Sequence, residues 1–201
     1  MSDRLEIPLF PLGTVLFPGG LLPLRVFEPR YVDMTKLCLR DNTPFGVCLI
    51  REGHETGVPA APHAVGCLAR IEHWDVPHPN LFALLARGGE RFRVLKQSVN
   101  AAGLIRAEVE LLAQPEAAVA TDAACEEVLR LAVKRAGEDS VPGPIRFDDP
   151  LWVGYRLAEI LPIMPLERQA LLEENDATAR LNRLREHMLA HGIIEKVNKN
   201  K

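Results

Sequence analysis

The sequence lacks the motifs that mark nucleotide-dependent enzymes. It contains no Gly-Lys-Ser or Gly-Lys-Thr tripeptide and no Gly-x-Gly-x-x-Gly loop, so nothing indicates a P-loop ATPase or a Rossmann dinucleotide-binding domain. Serine is scarce, with only Ser2, Ser98 and Ser140. Ser98 shares a predicted strand face with Lys96, but a catalytic dyad also needs an oxyanion pocket and a buried, neutral lysine, and neither is indicated nearby. We therefore interpret both residues as part of a solvated strand face and expect no catalytic residue.

Basic charge and long apolar runs are also missing. The 201 residues carry 24 Lys and Arg against 27 Asp and Glu, a net charge of −3, with a mean hydropathy close to zero. Nucleic-acid binders need a basic field, so we expect no nucleic-acid partner. No run can cross a bilayer, and Asp3, Arg4 and Glu6 interrupt any secretory leader. These observations predict a globular, cytoplasmic protein with no membrane partner.

Clustered metal ligands and disulfide patterns are absent as well. The four cysteines contain no Cys-x-x-Cys pair and are interpreted as separate thiols: Cys38, Cys48, Cys67 and Cys125. His187 and His191 are four residues apart on a predicted helix, but no third ligand completes a metal site. Cationic side chains near a helix C-terminus are favoured by the helix dipole, which explains the pair without a metal. We expect no metal and no cofactor.

The chain divides into parts of different periodicity. Residues 1–113 contain ten of the sixteen prolines and show mostly strand patterns, which indicates a β-rich domain with edge strands and bulges. Residues 114–121 are rich in proline and alanine and are interpreted as a linker. Helical periodicity over residues 122–195 predicts a helical bundle. Residues 196–201 are predicted to form a frayed tail.

Strand patterns recur through the first part. Residues 45–50 and 81–86 are short apolar runs, and residues 91–96 and 105–111 alternate apolar and polar side chains. Gly88-Gly89 is predicted to form a turn between two of these strands. Pro29 fits the first position of a single interrupting helix. Three later helices are predicted to follow capping aspartates: Asp122, Asp149 and Asp176.

One long segment stands out as a candidate binding loop. Residues 53–64 contain two glycines and two prolines without periodicity, which is unusual for a compact domain. A tolerated surface excursion explains the segment equally well. Trp74 follows on a strand as either a core residue or a contact anchor.

Residues 7–31 read Ile-Pro-Leu-Phe-Pro-Leu-Gly-Thr-Val-Leu-Phe-Pro-Gly-Gly-Leu-Leu-Pro-Leu-Arg-Val-Phe-Glu-Pro-Arg-Tyr. This stretch resembles the opening of the N-terminal, substrate-binding domain of Lon-type proteases. Residues 45–50, 65–71, 89–94 and 157–173 resemble later segments of that domain in the same order, with Cys67 where the family usually has threonine. The signature residues are Phe10, Pro11, Phe17, Pro18, Gly19, Leu24, Arg25, Phe27, Glu28, Pro29, Arg30, Tyr31, Arg91 and Phe92.

These signature residues have a structural interpretation. We interpret five of them as core side chains: Phe10, Phe17, Leu24, Phe27 and Tyr31. Arg25, Glu28 and Arg30 are interpreted as an ion-pair cluster that braces the helix. The resemblance implies an α+β fold, in which a PUA-like β pseudo-barrel precedes a C-terminal α-helical bundle.

The resemblance also implies a function. It predicts a non-catalytic module that binds unfolded or degron-bearing polypeptide, with a separate protease or chaperone as a further partner. Lon proteases continue into ATPase and protease domains, whereas this sequence ends at Lys201, so we expect no peptidase activity. The candidate polypeptide-binding residues are His54, Val58, Pro59, Pro62 and Trp74. The alternative is a small-molecule-binding or sensing domain that uses a barrel cavity. The oligomeric state is left open.

Overall fold

The chain folds as two units, Met1–Ala113 and Gln114–Lys201, in a computed structural model that describes residues 4–114 and 121–198. The described part of the first unit contains seven strands and one helix, in the order β1 (Arg4–Leu12), β2 (Leu21–Val26), α1 (Pro29–Asp41), β3 (Phe45–Glu52), β4 (Ala61–Pro62), β5 (Val65–His78), β6 (Leu81–Val99) and β7 (Ile105–Leu111). Residues 115–120, most of the predicted linker, lie outside the described residues.

Five strands close into a ring. Their order is β1-β7-β6-β5-β3, and β1 pairs with β7 on one side and with β3 on the other. The β1–β3 pairing is parallel, whereas the β1–β7 pairing is antiparallel. Closure removes the free edges of an open sheet. The predicted β pseudo-barrel followed by helices, an α+β fold, is confirmed.

Alternation along β1 separates two apolar clusters. Ile7 and Leu9 belong to a cluster that takes residues from all five ring strands and therefore fills the ring. Phe10 and Leu12 belong to a second cluster, which includes the buried face of α1. From Ile7 to Leu12 both faces of β1 are largely buried, and this part of its sequence is continuous in apolar residues.

The predicted turn at Gly88-Gly89 is wrong. β6 runs without interruption through both glycines, and it pairs with β2 and β5 in its first half and mainly with β7 in its second half. A Cβ on Gly88 would collide with the carbonyl oxygen of Phe17, so the glycine permits a close approach of two backbone segments. A glycine inside a strand marks such an approach as readily as a turn.

The second unit contains five helices among its described residues: α2 (Ala123–Ala136), α3 (Pro150–Ile160), α4 (Pro165–Glu173), α5 (Ala177–Ala190) and α6 (Ile193–Asn198). Three begin as predicted, because a capping aspartate carboxylate accepts backbone N–H groups of the first turn: Asp122 for α2, Asp149 for α3 and Asp176 for α5. One expectation differs, since α6 continues to Asn198 within the segment predicted to be frayed. Residues 199–201 lie outside the described residues.

Candidate functional site

β2 is an edge strand. It pairs with β6 along one side, and within the described residues no strand pairs with its other side. Its outward-facing residues are exposed: Leu21, Pro23 and Arg25. Its alternate residues face the apolar cluster beneath α1: Leu22 and Leu24 are half-buried, and Val26 is buried. Proline is tolerated within a sheet mainly on such an edge, since it has no N–H to donate.

A groove of about 340 Å³ lies along this strand. Its floor includes Phe10, Leu12 and Tyr31, and the rings of Phe10 and Tyr31 stack with centroids 4.0 Å apart. The strand wall extends over residues 22–27. Glu55 and Thr56, from the loop between β3 and β4, line it as well. The volume is at the lower end of that found for ligand-binding clefts.

Phe27 projects into solvent beside this groove. Its side chain is 58% exposed, whereas that of its neighbour Val26 is 1% exposed. The interpretation of Phe27 as a core residue is therefore wrong. The cause is strand alternation, because Val26 is the last inward residue of β2 and the following residue turns outward. An exposed phenylalanine next to an apolar groove is a feature of interaction surfaces.

One of the charged residues that line the groove, Glu28, is in an ion pair. Arg30 lies 2.9 Å from the carboxylate of Glu28, donates a hydrogen bond to the carbonyl oxygen of Gly103, and stacks on the ring of Tyr31. Burial raises the pKa of Tyr31, and the carboxylates of Glu28 and Glu55 add to the increase, while Arg30 opposes it. Arg25 is exposed and lies outside the Glu28–Arg30 pair, so the predicted cluster of three is a pair.

Comparison with known proteins identifies the family. Residues 6–190 match the family described as the ATP-dependent protease La (LON) substrate-binding domain. The chain belongs to this family. It is similar to a crystal structure of a Lon N-terminal domain protein from Xanthomonas campestris, with 36% identity, a TM-score of 0.72, and coverage of 90% of this chain and 96% of that chain.

Other relatives of this Lon substrate-binding domain are more distant. Lon protease 2 of Myxococcus xanthus is 33% identical over 106 residues, which are 52% of this chain and 13% of that protein. The chain thus corresponds to a small part of that relative's length. The N-terminal domain of a Lon protease from the Mycobacterium avium complex has the same fold, with a TM-score of 0.63, 16% identity, and coverage of 90% of this chain and 96% of that chain.

The signature residues of the Lon domain fall into two groups. Five of the apolar ones are buried: Phe10, Pro11, Phe17, Tyr31 and Phe92. The partly or largely exposed ones are Pro18, Gly19, Leu24, Arg25, Phe27, Glu28 and Pro29. The buried Arg91 donates a hydrogen bond to the carbonyl oxygen of Ala113. The first group maintains the fold, and four of the second group line the groove: Leu24, Arg25, Phe27 and Glu28.

The candidate residues named from the sequence do not form one cluster with this groove. His54 and Val58 are exposed in the loop after β3, Pro59 is half-buried and Pro62 is buried in β4. Trp74 is 57% exposed, but it lies two strands from β2, since Leu24 pairs with Leu84 and Leu84 with Trp74. The loop does reach the groove, through Glu55 and Thr56 instead.

The remaining site classes have no support in the described residues. Within residues 4–114 and 121–198, no group of three or more His, Cys, Asp or Glu side chains is placed to hold a metal ion. The rings of His187 and His191 stack with centroids 4.1 Å apart. No helix in this part of the chain is long and apolar enough to span a membrane.

Sequence reasoning missed the groove for an identifiable reason. Leu22, Leu24 and Val26 alternate with polar or proline positions, and Pro23 in the middle of such a run indicates an edge strand. That pattern was available in the sequence. The contribution of Glu55 was not, because it depends on a contact with Gly13, which is 42 positions away in the sequence.

Proposed function

We propose that this Lon substrate-binding domain is a non-catalytic module that binds unfolded or degron-bearing polypeptide in the groove beside β2. The observation that carries the proposal is the combination, in one place, of a groove with an apolar floor, an exposed Phe27 and a side of β2 with which no strand pairs in the described part of the chain. Extended peptides bind such edges through their backbone, and apolar pockets add side-chain selectivity. The family description, a substrate-binding domain, supports the same role.

An internal small-molecule site is a weaker candidate. The interior of the ring is occupied by side chains that are at most 3% exposed, such as Leu9, Leu68 and Phe92. A buried ligand would need to displace them, whereas the groove along β2 is already present. The observations therefore favour a surface site for polypeptide.

The proposal also covers the cellular compartment and the partner proteins. All four cysteines are free and buried, which suits a reducing compartment such as the cytoplasm. Because the family match is to a substrate-binding domain, we expect the captured polypeptide to pass to a separate protease or chaperone. Such a module is expected to release the captured polypeptide intact.

Fluorescence anisotropy of a labelled, permanently unfolded protein tests the proposal. We expect micromolar binding that changes little between low and high salt, because apolar contacts are not screened. Phe27→Ala is expected to weaken binding about tenfold. Trp74→Ala is the matched control, since both aromatic side chains are equally exposed, at 58% and 57%. It also tests the location predicted from the sequence.

The outcomes separate the alternatives. Loss of affinity with Phe27→Ala alone supports the groove. Loss with Trp74→Ala or Val58→Ala alone moves the site to the residues predicted from the sequence. No binding by the wild-type protein at high concentration contradicts the proposed function.

A further inference from the structure

The hydrogen-bonding pattern of β2 determines which of its backbone groups are free. The N–H of Gly88 donates to the carbonyl oxygen of Gly20 at 2.8 Å, which places this opposed pair in a hydrogen-bonded position. Hydrogen-bonded and non-bonded pairs alternate along an antiparallel ladder, and the β2–β6 register has no break. The residues that direct their N–H and C=O groups toward β6 are Leu22, Leu24 and Val26. The residues that direct these backbone groups away from β6, toward the other edge of β2, are Leu21, Pro23 and Arg25.

Pro23 modifies the free edge. Its position is consistent with this assignment, because proline has no N–H and an inward-facing proline would remove a bond to β6. The outer edge therefore offers a donor and an acceptor at Leu21, an acceptor alone at Pro23, and a donor and an acceptor at Arg25. A segment added to this edge forms full pairs at two points four residues apart and a half pair between them.

Side chains of an added strand divide between two faces. Directly opposed residues in a sheet place their side chains on the same face. Residues opposite Leu22 and Leu24 therefore project toward the groove floor formed by Phe10, Leu12 and Tyr31. The side chains of residues opposite Leu21, Pro23 and Arg25 project away from the groove floor. An occupant of this groove needs apolar side chains at every second position.

The charged residues at the groove favour a ligand segment with uncharged side chains. Glu28 is paired with Arg30 at 2.9 Å, and the carboxylate of Glu55 accepts a hydrogen bond from the N–H of Gly13 at 2.6 Å. The outward-facing Arg25 side chain is exposed. The two charges that remain at the groove, the Glu55 carboxylate and the Arg25 guanidinium, are of opposite sign, so the groove has no net charge that would require a charged ligand.

From these observations we infer that the substrate adds to β2 as an antiparallel strand of about five residues, with uncharged apolar side chains at alternate positions entering the groove. The inference rests on the proposed function and specifies its substrate class: extended segments of alternating pattern, as unfolded β-strands expose. Antiparallel pairing is chosen because it is slightly more stable per residue than parallel pairing.

An N-methyl scan tests the pairing. The probe is a dye-labelled, end-blocked peptide, Gly-Thr-Leu-Thr-Leu-Thr-Gly, titrated with the full chain. In the inferred register the leucines enter the groove and the threonine N–H groups bond to β2. N-methylation of any one threonine is expected to weaken binding at least about twofold. N-methylation of either leucine is expected to leave the affinity within about twofold of that of the unmethylated peptide. The inference is overturned if N-methylation of the leucines weakens binding. It is also overturned if N-methylation weakens binding at every position, or at no position.

Two substitutions on the protein test the edge directly. Arg25→Pro removes one outward N–H without affecting the bonds to β6, and it is expected to weaken peptide binding about tenfold. Arg25→Ala keeps that N–H and is the matched reference. Arg25→Pro is expected to bind about tenfold more weakly than Arg25→Ala, because both variants lose the side chain and only the proline loses the N–H. Pro23→Ala adds a missing donor and is expected to bind about 2- to 10-fold more tightly. Unchanged affinity in both Arg25→Pro and Pro23→Ala contradicts strand addition.

Folding controls and separate outcomes distinguish failure of strand addition from failure of a variant to fold and from failure of the proposed function. Thermal unfolding of each variant shows whether it is folded, and if Arg25→Pro does not fold, the peptide scan and Pro23→Ala on folded protein decide. If the unfolded protein binds in a Phe27-dependent way but the peptide pattern is absent, the proposed function stands and strand addition is wrong. If a second copy of the chain occupies the edge instead, peptide fails to bind and the protein self-associates, which also overturns the inference.

Discussion

The carboxylate of Glu55 accepts a hydrogen bond from the backbone N–H of Gly13, with 2.6 Å between the oxygen and the nitrogen. The two residues are 42 positions apart, and the bond ties the loop after β3 to the segment that follows β1. Glu55 also lines the groove beside β2. This hydrogen bond thus ties the loop segment that lines one side of the candidate site to the residue after β1.

Replacing Glu55 should loosen this loop. Glu55→Ala removes the acceptor of the Gly13 N–H, and we expect faster amide exchange at Gly13 and over residues 53–60, with a small loss of global stability of about 1 kcal/mol. Hydrogen exchange followed by mass spectrometry measures the change. Glu52→Ala, a nearby exposed substitution, serves as control and should leave exchange unchanged. Equal exchange in both variants would show that other contacts hold the loop.

Gly88 should be intolerant of any side chain. A Cβ at this position meets the backbone carbonyl of Phe17, so we expect Gly88→Ala to reduce the free energy of unfolding by about 1–3 kcal/mol. Gly89→Ala is a matched control in the same strand, because its Cβ would lie 3.5 Å from the nearest atom, an ordinary contact. Urea denaturation measures both. Similar stabilities for the two variants would contradict the close approach at Gly88.

Glu159 should make the second unit less stable as pH rises. Burial raises its pKa to about 7, against the opposing effect of Arg156 and Arg168. The folded state therefore keeps this proton between about pH 4.5 and 7 while the unfolded state releases it, so stability falls through that range and the full loss is present above pH 7.

Glu159→Gln is expected to remove this pH dependence. It preserves an oxygen acceptor for Arg156, which lies 2.9 Å from the carboxylate, and we expect a gain of about 1–3 kcal/mol over wild type at pH 8 but not at pH 4.5. Unfolding is measured at both pH values, with the exposed Glu186→Gln as control. A loss of stability at pH 8 would show that the ion pair with Arg156 outweighs desolvation.

The thiols should be unreactive in the folded protein. All four cysteines are buried, and burial raises the pKa of Cys48 and of Cys125 to about 12. Because the thiolate is the reactive form, we expect negligible reaction with Ellman's reagent at pH 8 within minutes, and four reactive thiols after denaturation. A native thiol that reacts as fast as free glutathione would contradict the placement of that cysteine.

Local patterns in the sequence were sufficient for the starts of α2, α3 and α5 and for α1. Each capping aspartate bonds to N–H groups two and three residues further on, so the interaction that starts the helix lies within one turn of sequence. The buried face of α1, with Tyr31, Met34 and Cys38, follows from helical spacing in the same way. Such features need no knowledge of distant residues.

In the first unit, several features depend on residues that are distant in sequence, and local patterns do not predict them. The continuity of β6 through Gly88 depends on the path of Phe17, 71 positions earlier in the chain. The exposure of Phe27 depends on which face of β2 the apolar cluster covers, and a signature shared with a family does not distinguish a core residue from a contact residue. Glu55, which lines the groove, bonds to Gly13 at a separation of 42 positions in the sequence.

The sequence by itself determined the fold class, the family resemblance and the helix starts, since these depend on periodicity, caps and an uninterrupted signature over residues 7–31. The tertiary structure decided the closure of the ring by β1 and the position of a groove along β2, on the side where no strand pairs with it within residues 4–114 and 121–198. The physical reason is that strand pairing and solvent exposure are set by residues distant in sequence, whereas helices and caps are set by neighbours.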